Sequence, residues 1–180
     1  CRPDADTYFK ESLADFANIK FRPAQGAYAD YKVGGAADHC CMRVEEMYFI
    51  EAEATAQAGD LAGGIRLLNE FMTSYRMMNG ATYDCTSKSG TLEGFINELM
   101  LQKRIEFWGE GIVMFDMKRL DMSSKRGYVG TNAPSSYRLN VEGRAPYWNF
   151  VIIRSETQNN PVIATQNNPD PSQTVKPWNG

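Results

Sequence analysis

Residues 42–61 read Met42-Arg43-Val44-Glu45-Glu46-Met47-Tyr48-Phe49-Ile50-Glu51-Ala52-Glu53-Ala54-Thr55-Ala56-Gln57-Ala58-Gly59-Asp60-Leu61. Val44, Met47, Tyr48, Ala52 and Thr55 recur at helical spacing and form one stripe, which predicts a helix over 40–58. Asp38 stands where an N-cap is expected, and Glu45 and Glu46 occupy the early turns, where acidic side chains suit the positive end of the helix dipole. Gly59-Asp60 ends this helix and caps the next. Leu61, Ile65, Leu68, Met72 and Tyr75 then follow at spacings of 4, 3, 4 and 3, a regular apolar seam that predicts a second helix over 61–75. A link of two residues between such helices makes an antiparallel hairpin.

The helical pattern continues downstream. Asn79-Gly80 and Ser87-Lys88-Ser89-Gly90 punctuate a loop. Thr91 is the expected cap of a third helix over 91–108, with Leu92, Phe95, Ile96 and Leu99 on its apolar face. Gly109-Glu110-Gly111 breaks it, and Val113, Met117 and Leu120 define a fourth helix over 111–121. Residues 123–147 read as loop, and Trp148 to Ile153 reads as a strand-like apolar run. From Ser155 the chain is polar and rich in Asn, Gln and Pro, a composition that cannot build a core of its own. Residues 1–39 mix aromatics with Gly, Ala and Pro: 8–16 suggest a short helix, Ile19 to Pro23 an extended piece, and Gly34-Gly35 a break. The expected organisation is an irregular lead-in (1–39), a helical core (40–122), and a loop and tail (123–180) that packs on the core.

Composition removes several classes of function. The 180 residues carry a net charge of -3 and a pI near 5.3, which supply no basic field for nucleic acid. The apolar runs are too short to span a bilayer. The single histidine, His39, excludes most histidine-based catalysis and most zinc sites. His39-Cys40-Cys41 resembles a metal cluster only on paper, because consecutive helical residues point about 100° apart and cannot close one tetrahedral site. A disulfide from Cys85 is conceivable, although no framework of spacings calls for one. No metal, cofactor or catalytic residue is assigned, and no ligand-binding residue is singled out.

Three residue groups invite chemistry. Glu106 and Glu110 flank Trp108, the pairing of acids and aromatic found in glycosidases. The glycine-flanked corner and the nearby Arg104, Lys118 and Arg119 favour a structural ion-pair role. Glu51 lies three residues after Tyr48 on the apolar stripe, so it is expected to be buried and paired across helices, with Arg104 as the best partner. Tyr128, Tyr137, Tyr147, Trp148 and Trp178 sit in loops or the tail, where an aromatic either stacks on a sugar or anchors the loop; Trp148, opening an apolar run, reads as an anchor. Asp170 alone, without a DxDxDG loop, is weak evidence for calcium.

Part of the hairpin fits the tetratricopeptide pattern, with Tyr48 and Ala52 in the first helix, Gly59 at the turn, and Gly64 and Leu68 in the second. Longer strings are more specific. Met42 to Ala54 followed by Gly59-Asp60-Leu61, then Arg104-Ile105-Glu106-Phe107-Trp108-Gly109-Glu110-Gly111 with Phe115-Asp116-Met117-Lys118-Arg119-Leu120, resemble the C-terminal region of the SusD/RagB family. Ile19-Lys20-Phe21-Arg22-Pro23 and the Asn-Pro pairs Asn160-Pro161 and Asn168-Pro169 resemble its flanking segments, in the right order.

The resemblance implies a mainly α fold of tetratricopeptide-like helix pairs with long irregular loops, the C-terminal part of a SusD-like α-solenoid. It implies a non-enzymatic, lipid-anchored surface protein of the Bacteroidetes outer membrane. Such a protein binds an oligosaccharide or other nutrient and delivers it to a SusC-like TonB-dependent transporter. It also implies that this chain is a fragment whose N-terminal partner segment carries most of the sugar platform, so that the fragment alone binds glycans weakly or not at all. A stack of about three repeats is the usual minimum for stability, which is consistent with a missing neighbour. Cys1 reads as a fragment edge more readily than as a lipidated terminus, since aromatics follow it with little polar spacer. The alternative function is a tetratricopeptide-type scaffold that grips a protein partner.

Overall fold

The computed structural model describes residues 20–21, 41–170 and 175–179. The expectations for 1–19, for 22–40 and for the His39-Cys40 pair lie outside the described residues. The chain divides into two compact units, Cys1–Glu110 and Gly111–Gly180. The reading of 40–122 as one core groups the fourth helix with the first three, whereas the division at Gly111 gives it to the second unit.

Among its described residues the first unit holds three α-helices: α1 (Val44–Gln57), α2 (Leu61–Tyr75) and α3 (Leu92–Glu106). The cap of α1 is Arg43 rather than Asp38, and its side chain makes no capping bond. The end of α1 is a Schellman turn: Gly59 adopts φ +105°, its N–H donates to the Ala56 carbonyl, and the Asp60 N–H donates to the Thr55 carbonyl. Asp60 then caps α2, accepting from the Gly63 N–H at 2.8 Å, and Thr91 caps α3, accepting from the Gly94 N–H at 3.0 Å.

α1 and α2 run antiparallel. Near the turn, a Cβ placed on Gly64 would lie 2.7 Å from the Ala56 Cβ and 2.8 Å from the Ala52 carbonyl, so only glycine permits this crossing. Farther out, Phe49 meets the edge of Phe71 at 5.2 Å and Tyr48 faces Tyr75 at 5.8 Å. α3 packs against both helices and delivers Phe107, edge-on to Phe49 at 5.6 Å. Phe49, Leu68, Phe71, Phe95, Leu99 and Phe107 form the apolar centre.

The face of α1 that enters this core differs from the expected stripe. Phe49, Ala52, Glu53 and Ala56 are buried, whereas Val44, Met47 and Tyr48 are exposed. The helix is apolar on two sides, and contact with α2 selects one of them. As a consequence Glu51 is exposed and its proposed pairing with Arg104, also exposed, does not form. Neighbouring positions are buried instead, Glu53 (5% exposed) two after Glu51 and Lys103 (1%) one before Arg104.

The loop after α2 folds back along it. The Cys85 N–H donates to Asn69 Oδ1 at 3.0 Å, and Tyr83 exchanges bonds with Thr73. Cys85 is buried as a free thiol, so the bridge considered for it is absent.

The second unit begins with α4 (Val113–Arg119), which ends at Asp121 in the left-handed region, φ 51°. A two-residue antiparallel ladder joins β1 (Ser124–Lys125) to β2 (Asn140–Val141). Trp148 to Ile153 is not a strand. A single 3-10 turn, Pro146–Trp148, precedes unpaired backbone. There the carboxamide of Asn167 both donates to and accepts from Ile152, at 3.0 and 2.7 Å, while Asn168 donates to the Phe150 carbonyl. Side-chain amides thus replace the neighbouring strand that the apolar run lacks. Two short helices follow, α5 (Arg154–Asn159) and α6 (Pro161–Ala164). The tail returns to the ladder, where the Trp178 N–H donates to the Arg138 carbonyl at 2.8 Å and its side chain fills the space left by the missing side chain of Gly127.

Candidate functional site

Glu106 and Glu110 do come together, but with different cations from those expected. Glu106 ends α3, and the turn through Gly109 (φ +78°) brings Glu110 back beside it. Arg43, just ahead of α1, reaches both: Nη1 lies 2.8 Å from Glu106, and Nε and Nη2 lie 3.2 and 2.9 Å from Glu110. Arg76, at the end of α2, donates to Glu106 through Nε at 2.5 Å and Nη2 at 2.9 Å, and to Glu45 at 3.1 Å. Lys20 pairs with Glu110 and donates to the Glu106 main-chain carbonyl. Three cations meet three carboxylates, and both guanidinium groups also lie over rings, Arg43 over Phe107 and Arg76 over Phe71. Arg43 Nη2 and Lys20 both bind the Glu106 carbonyl, one of those that a helix C-terminus leaves unpaired.

Of the cations expected here, Arg104 is exposed, Lys118 donates instead to the Trp148 carbonyl, and Arg119 pairs with Asp116. Trp108 is 56% exposed beside the acids. Burial pushes the Glu106 carboxyl up, but hydrogen bonds from Arg76 and Arg43 and their charges outweigh it, and its pKa falls below the ordinary value. Glu110 behaves alike: burial raises it, and Arg43 and Lys20 bring it down. Both acids are therefore ionised at neutral pH, and neither holds the proton that a general acid donates. The corner is a clamp joining the start of α1, the end of α2 and the end of α3.

A second polar cluster surrounds buried Glu98. Burial raises its pKa, but bonds from Tyr83 (2.6 Å), Gln102 (2.9 Å) and Lys88 (3.2 Å) leave it depressed. Tyr83 is pushed well up by burial and then by that carboxylate. This cluster pins the returning loop to α3.

The second unit carries an open cleft of about 380 Å³. Leu139, Val151 and Val175 are its aliphatic lining residues, Tyr147 and Phe150 its aromatic ones, and Asn149 and Asp170 also line it. The turn Pro146–Trp148 positions Tyr147, and the Asn168 bond to the Phe150 carbonyl fixes the backbone that carries the second ring. Trp148 is half-buried, edge-on to Tyr147 at 6.3 Å, and held through its carbonyl by Lys118. Tyr128 and Tyr137 are exposed and line no part of the cleft, and Trp178 anchors the tail. The sequence signals Tyr147 and Asp170 but hides Phe150 within an apolar run. Its isolation, 88% exposed, follows from the failure of that run to become a strand.

Among the described residues no helix is long and apolar enough to cross a membrane, and no three His, Cys, Asp or Glu side chains group to hold a metal. No curated protein and no solved structure matches the chain. The SusD family model matches residues 12–174, and the mainly α-helical arrangement agrees with the SusD-like architecture. The chain belongs to the SusD family, whose members are non-catalytic and have a nutrient-binding role.

Proposed function

We propose that this chain serves in oligosaccharide capture at the bacterial cell surface, within a lipid-anchored outer-membrane protein that passes its ligand to a SusC-like TonB-dependent transporter. The observation that carries this reading is the family match across 12–174, which spans both compact units. The clamp supports it physically. Three helix ends tied by paired charges make a stiff scaffold, as a binding surface requires. The loop-rich second unit offers the exposed aromatic side chains that a ligand with apolar faces needs.

The test uses the source bacterium. A tagged chromosomal copy is extracted from outer membranes in mild detergent, and a deletion strain is assayed for uptake of labelled oligosaccharides. The expected result is recovery of a TonB-dependent barrel with the tagged protein, and loss of uptake of at least one glycan class. Full uptake of every glycan in the deletion strain, with no barrel recovered, would overturn the proposal.

A further inference from the structure

We infer that one backbone edge of the run 149–153 pairs with the same edge of a second copy of this chain, antiparallel and about a two-fold axis at Val151. The inference is independent of the oligosaccharide reading above.

The first argument is where the backbone hydrogen bonds go. The Asn167 carboxamide bonds both the N–H and the C=O of Ile152, at 2.7 and 3.0 Å, so those two groups point to one side, as they do in a strand. Asn149 (φ -99°, ψ 125°) and Ile153 (φ -60°, ψ 149°) are extended at either end of the run. Successive residues of extended backbone direct their polar groups to opposite edges, so those of Val151 point away from the edge that Asn167 and Asn168 hold. On this far edge the Val151 N–H and C=O, the Asn149 C=O and the Ile153 N–H have no hydrogen-bond partner among the described residues. The two remaining groups there are already bonded: the Asn149 N–H donates to the Pro146 carbonyl, and the Ile153 carbonyl accepts from Glu156 and Thr157. Val151 is 38% exposed, and it borders the open cleft together with Asn149, so the edge can be reached from outside.

The second argument is that this set of groups is its own complement. Along the edge it runs acceptor at Asn149, donor and acceptor at Val151, donor at Ile153. A two-fold axis at Val151 sets donor against acceptor at every position. Val151 exchanges two bonds with Val151 of the second copy, and each Asn149 carbonyl accepts from the Ile153 N–H of the other. Four bonds then use all eight groups and need no other. The side chains agree with this register. Phe150, 88% exposed, stands opposite Ile152 of the second copy, 38% exposed, at the non-hydrogen-bonded position where side chains lie closest. Pairs of an aromatic with a β-branched residue are favourable there. No charged residue occurs within 149–153, so the copies meet without like charges opposed. The run also lacks the lysine or proline with which exposed edges are usually blunted. Five residues make a small strip against the roughly 1,200–2,000 Å² of a standard interface, so the pairing is weak and depends on concentration.

The test is sedimentation equilibrium of the whole 180-residue chain from about 10 µM to about 1 mM, with amide hydrogen exchange at both ends of that range. The expected result is a mass that climbs from 20.2 kDa toward twice that value and no further, while exchange of the Val151 and Ile153 amides slows at least fivefold. Val151→Lys and Val151→Glu, verified as folded by circular dichroism, each set like charges opposite one another and should weaken association at least tenfold. An equimolar mixture of the two should restore it. Val151→Pro, which removes the central donor, should weaken association likewise. A parent that stays monomeric at about 1 mM overturns the proposal, whether its edge amides exchange freely or are protected by the chain's own residues. Association that survives all three substitutions, or that grows past two copies, overturns it as well. Failure of the mixture to pair, with each variant alone monomeric, rules out the register centred on Val151.

Discussion

Replacing Glu106 by alanine tests the clamp directly. Its carboxylate accepts three charge-assisted hydrogen bonds, from Arg43 at 2.8 Å and from Arg76 at 2.5 and 2.9 Å, and its side chain is only 15% exposed. Such bonds are worth about 1.5–3 kcal/mol each when buried. Removing one member of a fully buried pair costs about 3–5 kcal/mol because the other charge is stranded. Here neither arginine is stranded, since Arg43 keeps Glu110 and Glu45, and Arg76 keeps Glu45. Glu106→Ala is therefore expected to destabilise by about 2–4 kcal/mol, and Glu106→Gln, which preserves shape and one acceptor, by about half as much.

Urea unfolding followed by far-UV circular dichroism measures both variants, at low and at moderate salt. Partly buried pairs are screened weakly, so most of the loss should survive the added salt. A cycle with Arg76→Met should show a coupling of about 1 kcal/mol or more, as expected for partners in one network. A loss below about 0.5 kcal/mol for Glu106→Ala, the range of an ordinary surface change, would refute the clamp.

Acid should unfold the protein through the same groups. Glu98, Glu106 and Glu110 have depressed folded pKa values, so their stabilisation is complete above the ordinary glutamate value of 4.5 and is lost as pH falls through the lower folded values. A pH titration of the helical signal should show this, with a shallower slope for Glu106→Ala. Gly64→Val should lower stability by about 3 kcal/mol, because its side chain enters a crossing already filled by Ala56 and the Ala52 carbonyl; an unchanged melting temperature would contradict the packing. Exposed Glu51→Ala should be neutral within about 0.5 kcal/mol, whereas Glu53→Ala, in the buried face, should cost several times more in the same urea assay.

Local signals were readable wherever a side chain acts on its own backbone. Asp60 and Thr91 cap the helices that their positions in the sequence announce, Gly59 closes α1, and Gly109 turns the chain after α3. The strings around Met42–Ala54 and Arg104–Gly111 carried the family, which the match over 12–174 bears out. The partners of Glu106 were not readable. Arg43 and Arg76 lie 63 and 30 positions away, and nothing local distinguishes them from Arg104, two residues off.

The sequence by itself determined the turn that ends α1, the span of α2 with its Asp60 cap and the Thr91 cap of α3, and that this is a mainly helical SusD family chain, because caps, glycine turns and apolar periodicity act over a few residues. Only the tertiary structure decided which face of α1 is buried, which cations neutralise the corner, and that Phe150 stands in water beside Tyr147 instead of in a strand. α1 is apolar on two sides, and an apolar run becomes a strand only beside another strand. Those choices belong to the neighbours that the fold supplies, and a single segment's spacing carries no record of them.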